Sequence, residues 1–393
     1  MRNLYLFVIF LVMYEFSTYI SNDMIMPGML NIVTEFHASI KFVGLSFTVF
    51  IFGNSLLQLF LGPLSERFGK RIVILVGNCL FMVFTVYLAM SNNIYEFMLG
   101  RLLQGSGLAF IAMGYALIHE KFNDKQAVKI FSLMGNISLL APLLGPVLGV
   151  AVIQISSWRY VFVITGLLAL ISLIGLYKFT PKSIVNPIKL NIRDIGKTYL
   201  KILRSPQFIV GTLCVSFSAL PILCWIGLAP TIIMKTLKLS MTSYAIYQLV
   251  AIGGLSLSTV IMHIVAGRVG FSRLIKIGST LAFMGLTIAL VFNTSLNIVV
   301  IGMLFYSFGL GISNTLVMRL VMTVPDLPQA MLTSLMIFIQ TTIFAIGTTV
   351  ANSISYYFSY SLYGFTLIAF TIGCVFMILV TIYAKMNKQR TWN

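Results

Sequence analysis

The sequence predicts an all-α membrane protein of twelve transmembrane helices in two six-helix halves, and three observations predict it. Of the 393 residues, 59% are hydrophobic and only 9% charged, with a mean hydropathy of +1.00. A water-soluble domain cannot solvate such a surface. The apolar residues come in runs of about 20 rather than in alternating ten-residue segments, which fits spanning helices and argues against an outer-membrane barrel. Twelve such runs are present, and one long polar stretch divides them six from six.

The first run, 4–28, is apolar apart from Glu15 and Asp23. It is too long and too acidic for a removable signal peptide and lacks a small-x-small cleavage site. Further spans follow at 40–62, 72–91, 95–118, 130–153 and 158–179. Residues 181–206 then break the pattern with many Lys and Arg and with Pro181, Pro187 and Pro206. The middle of this stretch suits a short amphipathic helix on the inner leaflet. Spans at 207–230, 242–266, 272–293, 296–320, 330–353 and 362–384 complete the chain. The expected organisation is therefore a half at 1–180, a cytoplasmic linker at 181–206 and a half at 207–393. A short repeat accompanies the division: Arg67-Phe68-Gly69-Lys70-Arg71 and Arg268-Val269-Gly270-Phe271-Ser272-Arg273 follow the second and eighth spans. Paired repeats with a site at their interface are a transporter plan, and chance basic turns are the alternative.

With the N-terminus on the inner side, 20 of the 26 Lys and Arg fall in inner segments and four in outer ones. Arg101 and Arg319 remain within spans. This bias orients both termini to the cytoplasm. The net charge of +17 thus reports topology and not a nucleic-acid partner. Cys79, Cys214, Cys224 and Cys374 sit in apolar segments without CxxC spacing, so neither disulfides nor a metal site are expected. His37, His119 and His263 lie in a loop or at span ends. Gly196-Lys197-Thr198 mimics the end of a phosphate-binding loop, but Asn191 stands where that motif needs Gly and no buried strand precedes it. No catalytic cluster such as HExxH or GxSxG is present either. The chain reads as a non-enzyme with no cofactor, whose work comes from an ion gradient.

Two of the nine acids lie in hydrocarbon, Glu15 and Asp23, both in the first span. A charge near the bilayer centre costs at least ~2.5–3.5 kcal/mol, which makes each a candidate functional residue. Eight residues of helix separate them by a rise of ~12 Å and a net turn of about 80°, so both can face one cavity without sharing a proton. Desolvation favours the neutral form of a carboxyl and suits it to loading and releasing protons; static partners for both acids are the alternative. Arg101 begins the fourth span at nearly the depth of Asp23, and an intramembrane Arg seeks an acid, a carbonyl or water. Pairing with Asp23 would give substrate a handle on the proton, whereas snorkelling to the outer headgroups is the structural alternative. Arg319, at a span end, suits snorkelling better. The run from Ala141 to Gly149 interrupts the fifth span: Pro142 and Pro146 remove backbone donors and bend it, while Gly145 and Gly149 form a face that admits a close neighbour, with simple packing as the alternative.

These residues also form recognisable motifs. Gly62-Pro63-Leu64-Ser65-Glu66-Arg67-Phe68-Gly69-Lys70-Arg71, Arg101-Leu102-Leu103-Gln104-Gly105, the run ending Gly145-Pro146, and Ser157-Trp158-Arg159 with Phe162 together resemble the major facilitator superfamily, specifically its drug–proton antiporters. Residues 14–20, 22–25 and 27–30, with Leu220-Pro221, Trp225-Ile226, Asn314 and Arg319, extend the likeness to its multidrug members. The resemblance implies a major facilitator fold that exports lipophilic neutral and cationic compounds in exchange for protons by alternating access. It implies a bacterial inner membrane, no partners beyond substrates, protons and membrane lipid, and a monomer as sufficient unit.

The resemblance also implies roles for particular residues. Glu15 and Asp23 handle protons and substrate, Arg101 couples them, and Gly62, Glu66, Arg67, Gly69 and Arg71 latch the outward-facing state. Pro142, Gly145, Pro146 and Gly149 form the antiporter helix. Tyr19, Asn22, Phe47, Ser138, Leu220 and Leu223 join the two acids as substrate contacts. Glu66 stands where Asp is more usual, a methylene longer. Two other functions fit the same helices: an exporter dedicated to one metabolite or siderophore, and a non-transporting receptor, which would not need two titrating acids.

Overall fold

Hydrocarbon offers the backbone no hydrogen-bond partners, so each apolar run closes its bonds internally as helix. The computed structural model describes residues 2–182, 192–265, 269–324 and 329–386. Among the described residues, twelve helical stretches are long and apolar enough to cross a membrane. The chain divides into two compact units, Met1–Asn191 and Ile192–Asn393.

In the first unit, α1 (Arg2–Met24) gives way at Met26–Gly28 to a single 3₁₀ turn and then to α2 (Met29–Glu35). Pro27 causes the change, since it has no N–H to continue the α ladder. α3 (Lys41–Phe68) and α4 (Lys70–Ala89) meet at Gly69, whose φ of 83° and ψ of 141° suit only glycine. α5 (Ile94–Ala109) starts where the Asn93 side chain accepts from Tyr95 N and Glu96 N, and α6 (Ile111–Lys121) completes the fourth span. α7 (Asp124–Ile155) is capped by Asn123, and α8 (Arg159–Phe179) ends the unit. Contrary to the expected interruption, α7 runs unbroken through Pro142 and Pro146. Neighbouring groups within a bundle can satisfy the carbonyls that prolines release.

Between helices in lipid there is little hydrophobic drive, so small residues that let backbones close decide the packing. A Cβ at Gly53 would stand 1.9 Å from Leu102 O, and one at Gly105 would stand 2.0 Å from Phe50 O. These two glycines press α3 onto α5. The end of α2 is tied to the start of α8 by Glu35, which accepts from Trp158 Nε1 at 2.6 Å and from Arg159 Nη1 at 2.7 Å.

In the second unit, α9 (Ile192–Leu203) is the short amphipathic helix expected within the linker. Ser205 then caps α10 (Pro206–Pro230), which continues as a π-type turn at Thr231–Thr236. α11 (Met241–Val265), α12 (Phe271–Val291), α13 (Leu296–Met322), α14 (Gln329–Tyr357) and α15 (Leu362–Met386) follow. α12 and α13 close through paired glycines: a Cβ at Gly278 would lie 2.7 Å from Gly309 O, and one at Gly285 would lie 2.4 Å from Gly302 O.

Gly69 and Gly270, matched in the repeat, differ in conformation. Gly270 has φ −61° and ψ 142°, which any residue adopts. Arg268 of that repeat lies outside the described residues.

Candidate functional site

The first unit collects an unusual set of buried polar side chains along α1. Glu15 is 1% exposed and Asp23 5%. Glu15 Oε1 accepts from Tyr115 Oη of α6 at 2.8 Å, and the Tyr115 ring stacks on Phe131 at 5.4 Å between centroids. Tyr115 is the feature the sequence reading missed. A phenol in hydrocarbon needs a partner for its hydroxyl, and that requirement was the available signal.

Asp23 and Arg101 do not form the direct pair expected of them. Arg101 Nη2 donates to Asn22 Oδ1, and Asn22 Nδ2 donates to Asp23 Oδ1 at 3.5 Å. Asn22 therefore sits as a bridge between the two charges. The rest of the guanidinium is held by neutral groups: Nε donates to Ser46 Oγ at 3.3 Å and Nη1 to Gln104 Oε1 at 2.7 Å. Its carbon lies 4.5 Å from the centre of the Phe50 ring, a cation–π arrangement. Arg101 is wholly buried, so it does not snorkel.

Gln104 is itself braced. Its amide donates to Ser21 Oγ and to Thr85 Oγ1, both at 2.9 Å, and Thr165 Oγ1 donates to Ser21 Oγ at 3.3 Å. Residues of α1, α3, α4, α5 and α8 thus fix one guanidinium. The network satisfies both ends of the Gln104 amide, as a buried polar group requires.

The glycines expected on the antiporter helix meet α1 beside Asp23. A Cβ at Gly145 would stand 2.5 Å from Asp23 Cβ, and one at Gly149 would stand 2.1 Å from Met24 O. Pro146 is buried and Pro142 half-buried on the same helix. Phe47 is buried on α3 and Tyr19 partly exposed on α1. Ser138 lies on α7, but its side chain is outside those described.

At the α3–α4 junction, Glu66 and Arg67 are exposed, Arg67 beside the Phe68 ring at 5.3 Å. Lys70 pairs with Glu120 at the end of α6, and Arg71 Nη2 donates to Tyr177 O of α8 at 2.6 Å. Gly62 lies on α3 one turn before this cluster, and nothing beyond its backbone is described.

In the second unit, Leu220 is buried against Gly347, where a Cβ would stand 2.6 Å from Leu220 Cδ2, while Leu223 is half-buried. Leu220 also borders an apolar recess of about 480 Å³ between α10, α14 and α15, in which Thr371 is the one polar side chain among the described residues. Close by along α10, Ser218 Oγ donates to Asn314 Oδ1 at 2.9 Å, and Tyr306 Oη donates to Ser218 O. Arg319 is exposed with its guanidinium 5.5 Å from the Phe271 ring. Among the described residues, no group of three or more His, Cys, Asp or Glu is placed to hold a metal.

The chain has counterparts among known proteins. The chain is 35% identical over 394 residues to the multidrug transporter MdfA of Yersinia pestis bv. Antiqua (strain Angola), covering 99% of this chain and 96% of that one. It is 36% identical over 357 residues to MdfA of Escherichia coli O157:H7, covering 89% and 87%. Among solved structures, a D-xylose–proton symporter superposes with a TM-score of 0.78 at 16% identity over 95% of this chain and 97% of the other. A bacterial homolog of the human lysosomal transporter Spinster superposes with a TM-score of 0.74 at 16% identity over 100% and 98%. The family model of the Major Facilitator Superfamily matches residues 11–351, and with relatives of this identity along nearly its whole length the chain belongs to that superfamily.

Proposed function

We propose that the protein is a proton-coupled multidrug antiporter that exports lipophilic neutral and cationic compounds by alternating access, and that it is not an enzyme. The observation that carries this reading is the Asp23–Asn22–Arg101 bridge, a buried acid and a buried base joined by one amide. A proton on Asp23 weakens its hold on the bridge, and a substrate that competes for Asp23 or Asn22 does the same. Substrate and proton then compete for one arrangement, which is the requirement for antiport. Glu15 adds a second carboxyl that suits cationic substrates, with Tyr115 holding its orientation. MdfA relatives over nearly the whole chain support multidrug export.

Around this core the remaining assignments follow. Tyr19, Asn22, Phe47, Ser138, Leu220 and Leu223 contact substrate alongside the two acids; few polar fixtures on apolar walls tolerate many ligands. Gly62, Glu66, Arg67, Gly69 and Arg71 act as the latch of the outward-facing state. Pro142, Gly145, Pro146 and Gly149 shape the helix that bears on Asp23. The two halves are 1–180 and 207–393, joined through 181–206, with both termini cytoplasmic in a bacterial inner membrane. The protein works as a monomer in lipid, without cofactor or metal, on the proton gradient alone.

The test is uptake of several chemically unrelated lipophiles into everted vesicles carrying the protein. Uptake of all of them that collapses when the pH gradient is dissipated supports the reading. Uptake of a single compound, or uptake indifferent to the gradient, contradicts it.

A further inference from the structure

The linker helix carries a second surface, remote in role from the coupling site. α9 reads IRDIGKTYLKIL and sorts its residues around the axis. At 100° per residue, Lys197, Lys201 and Arg204 fall within about 60° of one another. Arg204 belongs to this face because its amide still donates to Leu200 O at 3.1 Å. All three cations are exposed. Ile202 lies on the opposite side, wholly buried, where α9 rests on α10 and α14.

Two leucines lie to one side of the cations around the helix axis. Leu200 is 57% exposed and Leu203 42%, although α9 has already buried another apolar face on the bundle. Only Arg204 and Ser205 separate α9 from Pro206, the first residue of the seventh span. The helix thus lies directly beside the start of the seventh span. Cations beside exposed leucines at that position match a lipid interface, with headgroups over the cations and acyl chains under the leucines.

We propose that α9 is a docking surface for anionic phospholipid, with Lys197, Lys201 and Arg204 on the headgroup and Leu200 and Leu203 in the acyl boundary. The sequence from 193 to 204 holds four cations, Arg193 included, against the single acid Asp194. That balance selects anionic over zwitterionic headgroups. The proposal stands independently of the transport reading.

The test uses the purified full-length protein in detergent, titrated with phosphatidylglycerol or phosphatidylcholine and read by native mass spectrometry. Wild type is expected to retain phosphatidylglycerol preferentially. Each cation removed lowers that preference about fivefold, so K201Q/R204Q loses on the order of 20-fold. L200S/L203S, with its charges intact, weakens retention of both lipids alike and keeps the preference. Equal retention of both lipids by wild type, or an undiminished preference in K201Q/R204Q, overturns the proposal. So does displacement of the lipid by soluble glycerophosphoglycerol at equal concentration, which would make this a site for a free anion. Because the four substituted side chains are exposed, an unchanged melting temperature is expected of every variant.

Discussion

Gly145 of α7 lies directly on Asp23 of α1, so close that a methyl group at position 145 would stand 2.5 Å from the Asp23 Cβ and 3.2 Å from Met24 N. The proline-containing fifth span and the acid of the first are therefore one packed unit. Movement of α7 cannot leave Asp23 where it was.

The first prediction follows from that contact. Gly145→Ala must push α7 or Asp23 aside, and overpacking of this kind costs about 1–3 kcal/mol. Transport in everted vesicles is expected to fall at least tenfold for every substrate, with a modest loss of thermal stability. Gly135→Ala, on the same helix with nothing within 4 Å of its Cβ, serves as the control and is expected to transport normally.

Asn22 separates a bridge from a mere drug contact. Asn22→Leu removes both the acceptor for Arg101 and the donor to Asp23. If Asn22 joins the two charges, coupling weakens for all substrates, and the pH dependence of transport flattens. A loss confined to one or two compounds, with an unchanged pH profile, would show that Asn22 only touches drug.

Tyr115→Phe tests the second acid. The substitution deletes the 2.8 Å hydrogen bond to Glu15 and keeps the ring on Phe131. A hydrogen bond to a charged group contributes about 1.5–3 kcal/mol, equivalent to a factor of ten or more. Cationic substrates are expected to lose affinity by about that factor in equilibrium binding, while neutral ones change little.

Gly69 and Gly270 give a contrast within one motif. Gly69→Ala forces a side chain into φ 83°, ψ 141°, a region that costs about 1–3 kcal/mol outside glycine. Gly270→Ala enters ordinary extended backbone and meets nothing within 4 Å. Thermal melting should therefore drop for the first and hold for the second.

Much of this was legible in the sequence, and the boundary is physical. Twelve helices could be read because hydrocarbon permits apolar residues little else, and the helix ends moved because hydrogen bonding continues past the apolar window. α3 reaches Phe68, for example, against an expected end near 62. Glu15, Asp23 and Arg101 announced themselves because charges inside spans are rare. Gln104, Ser21, Thr85 and Thr165 did not, since uncharged polar residues are ordinary in membrane helices. Only their meeting across four helices reveals them. The Asn22 bridge was hidden for another reason: complementary charges at similar depth predict a direct pair, and which side chain fills the gap is a matter of rotamers. In α7 the prolines spoke of interruption, whereas the continuous helix depends on neighbours that a linear reading does not contain.

The most direct measurement is drug-driven proton release from everted vesicles, comparing wild type with Glu15→Gln and Asp23→Asn. The account predicts that several unrelated drugs discharge the pH gradient in wild type, that Asp23→Asn abolishes the discharge for all of them, and that Glu15→Gln abolishes it at least for cations. If wild type binds these drugs yet moves no proton with any of them, or if Asp23→Asn still couples, the central claim fails.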